Sequence, residues 1–68
     1  MEPTIELNHR QYPFREGATV STLMAENNFG FNYIIVKING AILEEAAWKR
    51  TAIAAGDRVE IIHIFGGG

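Results

Sequence analysis

The stretch Tyr33-Ile34-Ile35-Val36-Lys37-Ile38-Asn39-Gly40-Ala41-Ile42-Leu43 decides the fold of this chain. Residues 33–38 are dense in β-branched side chains, which favour strands. Asn39-Gly40 predicts a tight hairpin turn, because both residues tolerate positive φ values. Residues 41–43 are therefore expected to return antiparallel to the first strand.

The N-terminal segment predicts a second hairpin. Residues 4–7 alternate polar and apolar side chains, which is the period of a half-buried strand. Asn8-His9-Arg10 follows as a turn, and residues 11–14 form the second arm. Pro13 cannot donate a hydrogen bond to a ladder, so we expect this arm at an edge of the sheet.

A helix is predicted over residues 20–27, with Thr19 as its N-cap. Val20, Leu23 and Met24 stand at i, i+3 and i+4 and give this helix one apolar face. We expect that face to pack against the sheet.

The C-terminal third predicts a short helical turn and a final strand. Residues 44–50 form the turn and carry Trp48, whose indole N–H needs an acceptor when the ring is buried. Gly56-Asp57 marks another turn, stabilised by hydrogen bonds between the aspartate side chain and the backbone. Residues 58–65 form the last strand.

The element order β-β-α-β-β-β indicates an α+β domain. If the last strand runs parallel to the first, a mixed sheet curls over the single helix, an arrangement called the β-grasp. We expect residues 1–65 to form this domain and residues 66–68 to form a flexible glycine tail.

Composition narrows the class of protein. A length of 68 residues with 47% hydrophobic residues predicts one domain with a small packed core. The absence of cysteine excludes a disulfide scaffold, a thiolate metal site and a cysteine nucleophile. His9 and His63 have neither ligand spacing nor an accompanying carboxylate cluster, so no metal site is expected.

Charge and hydropathy argue against nucleic acid and membranes as partners. The net charge is −2 and the six basic residues are scattered, so nucleic-acid binding is not expected. The chain lacks signal-peptide features and any apolar run near the about 20 residues that span a bilayer. We therefore expect a cytoplasmic protein without a membrane role.

The end of the chain, Gly66-Gly67-Gly68, follows directly after an apolar strand. Glycines leave no Cβ near the terminal carboxylate, so this tail can enter a channel too narrow for side chains. A carboxylate is a poor electrophile and needs activation, usually as a mixed anhydride with a nucleotide phosphate. The chain has no phosphate-binding loop, so a separate ATP-binding enzyme would have to activate Gly68. A frayed, inert end is the alternative interpretation.

The whole chain resembles the ThiS/MoaD family of ubiquitin-like sulfur carriers, and ThiS more closely. The motifs that carry the resemblance are, in order, Glu16-Gly17-x-Thr19-Val20, Val36-x-Ile38-Asn39-Gly40, Trp48, Gly56-Asp57-x-Val59-Glu60-Ile61 and Gly67-Gly68. MoaD-like proteins more often carry a proline-containing segment before the terminal glycines, whereas this chain has no proline after Pro13.

The resemblance implies a mechanism for the tail. A ThiF-like (E1-like) adenylating enzyme would join AMP from Mg-ATP to the Gly68 carboxylate. A sulfur donor protein would displace AMP and leave a thiocarboxylate, which a ThiG-like thiazole synthase would use to build the thiazole ring of thiamine. The chain would then be a co-substrate and not an enzyme, with no bound cofactor of its own, and a monomer when alone.

Other functions are compatible with the same tail. A sulfur carrier for molybdopterin or amino-acid biosynthesis would share the chemistry and differ in the acceptor enzyme. A ubiquitin-like modifier would join Gly68 to a lysine of a target protein. An interaction module with an inert tail would need no activation at all.

The last strand is expected to aim the tail. Its period of two points Val59 and Ile61 into the core and Ile62 and Ile64 outward. Phe65, at the root of the tail, is expected to anchor in a pocket of the partner enzyme. The alternative is that it folds back onto the domain.

The outward isoleucines are expected to have neighbours on the strand of residues 33–38. If Val36 and Ile38 point inward, then Ile35 and Lys37 lie beside them on the outer face. Clustered apolar side chains on a sheet face predict a partner-binding surface. Incidental exposure is the alternative, because single exposed apolar side chains are ordinary.

Overall fold

Two tight turns organise the strands of this chain into hairpins. The φ values are 49° and 71° at Asn8 and His9, and 52° and 88° at Asn39 and Gly40. Positive φ at both central residues is the geometry whose twist matches that of the flanking strands. The first turn contains only Asn8 and His9, so Arg10 belongs to the second strand and the prediction that it lies in the turn is wrong.

The computed structural model describes residues 2–27 and 34–63. The elements are β1 (Thr4–Leu7), β2 (Arg10–Pro13), α1 (Val20–Glu26), β3 (Ile34–Ile38), β4 (Ala41–Leu43), a 3₁₀ helix (Glu45–Ala47) and β5 (Arg58–His63). This is the predicted order. The helical turn predicted over residues 44–50 is shorter than expected, and the predicted strand residues 33, 64 and 65 lie outside the described residues.

The described strands form one sheet in the order β2-β1-β5-β3-β4. β5 runs parallel to β1 and antiparallel to β3, so the last strand joins the two hairpins at the centre of the sheet. Within residues 2–27 and 34–63, one α-helix accompanies this mixed sheet, and the predicted α+β β-grasp fold is confirmed.

Helix α1 begins at the predicted N-cap. The Thr19 hydroxyl accepts from the backbone N–H of Thr22 at 3.3 Å, and the Thr22 hydroxyl accepts from the N–H of Thr19 at 3.4 Å. This reciprocal capping satisfies two donors that the first turn of a helix leaves free. The helix buries the predicted face, formed by Val20, Leu23 and Met24.

The core lies between α1 and the inner face of the sheet. Its buried residues are Ile5, Leu7, Val20, Leu23, Met24, Val36, Trp48, Ile53, Val59 and Ile61. The indole Nε1 of Trp48 donates to the carbonyl oxygen of Leu43 at 3.0 Å, which supplies the acceptor that burial of the ring requires. The predicted turn contact is also present, since the Asp57 carboxylate accepts from the N–H of Ala54 at 2.8 Å.

The β2 edge of the sheet carries Pro13, as predicted. Along an antiparallel hairpin, hydrogen-bonded and non-hydrogen-bonded pairs alternate, beginning here with the bonded pair Leu7 and Arg10. Thr4 and Pro13 are therefore a non-hydrogen-bonded pair, and the nitrogen of Pro13 points to the open edge. The missing N–H therefore falls where another strand would otherwise pair. β2 is also tied to the helix, because the Tyr12 hydroxyl donates to the Glu26 carboxylate at 2.8 Å.

Candidate functional site

The candidate site is the outer face of the sheet around β5, from which the chain continues to its C-terminus. The predicted site residues beyond His63 lie outside the described residues; they are Ile64, Phe65, Gly66, Gly67 and Gly68. Within the described part, β5 pairs with β3 as far as His63 and with β1 at Arg58 and Val59.

Side chains alternate along β5 as predicted. Val59 and Ile61 are buried in the core, whereas 40% of Ile62 is exposed on the outer face. Ile62 pairs with Ile35 in the central part of the sheet, so its exposed side chain lies on a rigid surface and not on a loop.

The neighbours of Ile62 are those expected from the sequence. Ile35 of β3 lies directly opposite Ile62, and Lys37 lies opposite Glu60. Directly opposite side chains in an antiparallel pair have Cβ atoms about 5 Å apart, so these residues form a continuous surface. We call Ile35, Lys37 and Ile62 the outer-face patch.

Ile42 extends this face and was not predicted as part of it. It lies opposite Lys37 in β4, and 67% of its surface is exposed. Alternation along residues 41–43 could have identified its outward orientation, because the tight turn at Asn39-Gly40 fixes the register.

His9 has two carboxylates near it, which the sequence did not predict. Its Nδ1 lies 3.5 Å from an oxygen of Glu6, and its Nε2 lies 3.8 Å from an oxygen of Glu60. The hairpin turn brings Glu6 near, and the parallel pairing of β1 with β5 brings Glu60 near. The His9 side chain is 77% exposed, so these contacts contribute little to stability.

Among residues 2–27 and 34–63, no group of three or more potential ligands is placed to hold a metal ion. No helix in the part of the chain that the structure describes is long and apolar enough to cross a membrane.

Asparagine side chains bond to the backbone of β5 near both of its ends. At the start, the Asn39 Oδ1 accepts from the N–H of Arg58 at 2.9 Å. Further along, the Asn8 Oδ1 accepts from the N–H of Ile61 at 2.7 Å. Sequence reasoning identified both asparagines only as turn residues, because their partners lie 19 and 53 positions away along the chain.

The family model described as the ThiS family matches residues 4–68, which includes the terminal glycines. The chain belongs to the ThiS family. The resemblance predicted from the sequence motifs is therefore confirmed, and with it the assignment to the ThiS-like sulfur carriers.

A solved structure supports the same assignment. The thiamine biosynthesis protein ThiS from Geobacter metallireducens is 29% identical to this ThiS-family chain, with a TM-score of 0.75. The match covers 96% of this chain and 99% of that one. No curated protein matches the chain.

Proposed function

We propose that this chain carries sulfur as a thiocarboxylate on Gly68 and donates it for synthesis of the thiamine thiazole ring. The observation that carries the proposal is the ThiS-family match, which runs through Gly68. The likeness to a thiamine biosynthesis protein from Geobacter metallireducens supports thiamine as the pathway.

The proposed reaction begins with activation of the Gly68 carboxylate, because a carboxylate is a poor electrophile. A Gly68 carboxylate oxygen attacks the α-phosphorus of Mg-ATP in a ThiF-like enzyme, and pyrophosphate leaves. The terminal sulfur of a persulfide on a sulfur donor protein then attacks the carbonyl carbon, and AMP leaves with that oxygen. A thiol next cleaves the S–S bond of the acyl disulfide, which releases the donor as a disulfide and leaves the thiocarboxylate on Gly68. The thiocarboxylate that results differs from the starting carboxylate by one sulfur in place of one oxygen.

The folded domain contributes recognition to this cycle. The outer-face patch presents two isoleucines and a lysine beside the strand that leads to the tail. An adenylating enzyme and a ThiG-like thiazole synthase would each bind this surface while the glycines enter the active site. The chain is then a co-substrate in the cytoplasm that meets its partners in turn.

Intact mass spectrometry tests the proposal. The protein is incubated with the ThiF-like enzyme of the same organism, Mg-ATP, a persulfide donor and a thiol that cleaves the acyl disulfide. We expect the mass of the chain to change by the exchange of one oxygen for one sulfur, located by fragmentation at residue 68. An unchanged mass with an enzyme that is active on its own carrier would contradict the proposal.

Deletion of Gly68 is the matched control. The shortened chain should keep the circular dichroism spectrum and unfolding midpoint of the full chain, because the core consists of residues between 5 and 61. It should show no mass exchange, because the carboxylate would end one residue short of the reacting phosphorus. If the shortened chain still exchanged oxygen for sulfur, the enzyme would not require the full length of the tail.

A further inference from the structure

The pairing between β1 and β5 ends before β5 does. The ladder consists of Glu6 opposite Arg58 and Leu7 opposite Val59. At Asn8 the backbone enters the left-handed region, with a φ of 49°, and turns into the hairpin. β5 continues to His63, so its last residues extend past the backbone of β1.

The side chain of Asn8 continues the ladder where the backbone of β1 leaves it. Its Oδ1 accepts from the N–H of Ile61 at 2.7 Å, and its Nδ2 donates to the carbonyl oxygen of Ile61 at 3.2 Å. The backbone N–H of Asn8 also donates to the carbonyl oxygen of Val59 at 2.9 Å. A carboxamide has the donor and acceptor of a peptide group, so this side chain serves as one more residue of β1.

Asparagine meets two requirements at this position. It tolerates the left-handed backbone better than most residues, and its amide presents both a donor and an acceptor. Glycine would adopt the backbone geometry of the turn but would make no side-chain hydrogen bonds to Ile61. Aspartate would accept from the N–H of Ile61 but could not donate to its carbonyl oxygen.

We propose that Asn8 is a positioning residue for the C-terminus, one that fixes the direction in which the chain leaves the sheet. This role rests on the proposed function. When the flexible tail lies extended in the channel of the partner enzyme, five residues beyond His63 reach at most about 17 Å. A change of about 10° in the direction of β5 then displaces the end by about 3 Å. A misplacement of about 1 Å can cost about a hundredfold in rate.

The test compares Asn8→Gly with Asn39→Gly. Asn39 is a matched control, because it has the same residue type, a φ of 52° and a side-chain bond to β5, at the end away from the tail. ATP–pyrophosphate exchange with the ThiF-like enzyme gives kcat and KM for each carrier, and amide hydrogen exchange reports on β5.

We expect Asn8→Gly to lower kcat about tenfold or more. Its KM should stay near the wild-type value, because the outer-face patch is unchanged. Exchange at the Ile61 amide should accelerate. Asn39→Gly should instead accelerate exchange at Arg58 and keep the wild-type kcat, and Asn8→Asp, which retains one of the two bonds, should have an intermediate kcat.

Two results would overturn the positioning role alone. One is an Asn8→Gly variant with wild-type kcat and accelerated exchange at Ile61. The other is an equal loss of kcat in Asn39→Gly, since general loosening of β5 would then explain both. Failure of the wild-type chain to support any pyrophosphate exchange would instead overturn the proposed function, and the positioning role with it.

Discussion

At the scale of single residues, the buried polar atoms of this small domain have specific partners. Trp48 is 4% exposed, and its indole nitrogen reaches the Leu43 carbonyl oxygen. This bond links the segment after the 3₁₀ helix to the end of β4. In the described residues, no buried side-chain nitrogen or oxygen lacks a hydrogen-bond partner.

Replacing Trp48 with Phe tests the importance of that bond. The variant keeps an aromatic ring in the core but loses the donor, and it leaves a gap where the indole was. We expect the free energy of unfolding to fall by about 1–3 kcal/mol, measured by urea denaturation with circular dichroism. The exposed neighbour Lys49, replaced with Ala, should change it by less than about 0.5 kcal/mol.

At the scale of elements, the two hairpins have the same turn geometry and different residues at its second position. Gly40 has a φ of 88° and His9 has a φ of 71°. A residue with a side chain is disfavoured there, so His9 costs the first hairpin backbone energy that Gly40 does not cost the second. Its weak contacts with Glu6 and Glu60 do not offset that cost at moderate salt.

His9→Gly is therefore expected to stabilise the protein. Relief of the left-handed backbone outweighs the greater entropy of glycine in the unfolded chain, for a net gain of up to about 1 kcal/mol. Gly40→Ala should cost about 1 kcal/mol through the backbone alone, because an added Cβ meets no atom within 4 Å. Urea denaturation measures both changes. A destabilised His9→Gly variant would mean that the imidazole contacts outweigh the backbone cost.

At the scale of the whole molecule, the sheet separates the buried core from the face that we propose for partner binding. One face carries the buried side chains of β1, β3 and β5, and the other carries the outer-face patch. Neighbouring residues of one strand point to opposite faces. We therefore expect a substitution on β5 to change either the free energy of unfolding or the proposed partner binding, and not both.

Ile62→Thr tests this separation. Threonine is β-branched and suits a strand, so the unfolding midpoint should stay close to wild type. The KM for adenylation should rise about tenfold if Ile62 contacts the enzyme, since a buried apolar anchor contributes roughly 1–3 kcal/mol. Ile42→Thr is the comparison variant. Ile42 is exposed on the same face but lies on the edge strand β4, away from β5, so the KM of this variant should rise less. An unchanged KM in Ile62→Thr would remove Ile62 from the proposed interface.

Local chemistry made much of the fold predictable. Asn39-Gly40 fixed the second hairpin, Thr19 marked the helix start, and Pro13 indicated an edge strand, each through an interaction within a few residues. The orientation of Ile62 also followed from the period of its own strand.

The rest depends on contacts between distant segments. No local pattern shows that Asn8 bonds to Ile61, because that contact exists only once β5 lies beside β1. The carboxylate of Glu60 near His9 was not predictable for the same reason, since the parallel pairing of β1 with β5 brings the two residues together. Partner recognition by Phe65 and the glycine tail stays a prediction.

The central position of β5 has a consequence for synthesis of the protein on the ribosome. The hairpins β1–β2 and β3–β4 form from neighbouring residues, but they share a sheet only through β5. An isolated hairpin is at best marginally stable, so a nascent chain that stops before residue 58 exposes apolar surface to chaperones and proteases. Truncated copies should therefore be degraded rapidly. The copies that persist in the cell are then those whose translation has passed through the strand that precedes the C-terminal glycines.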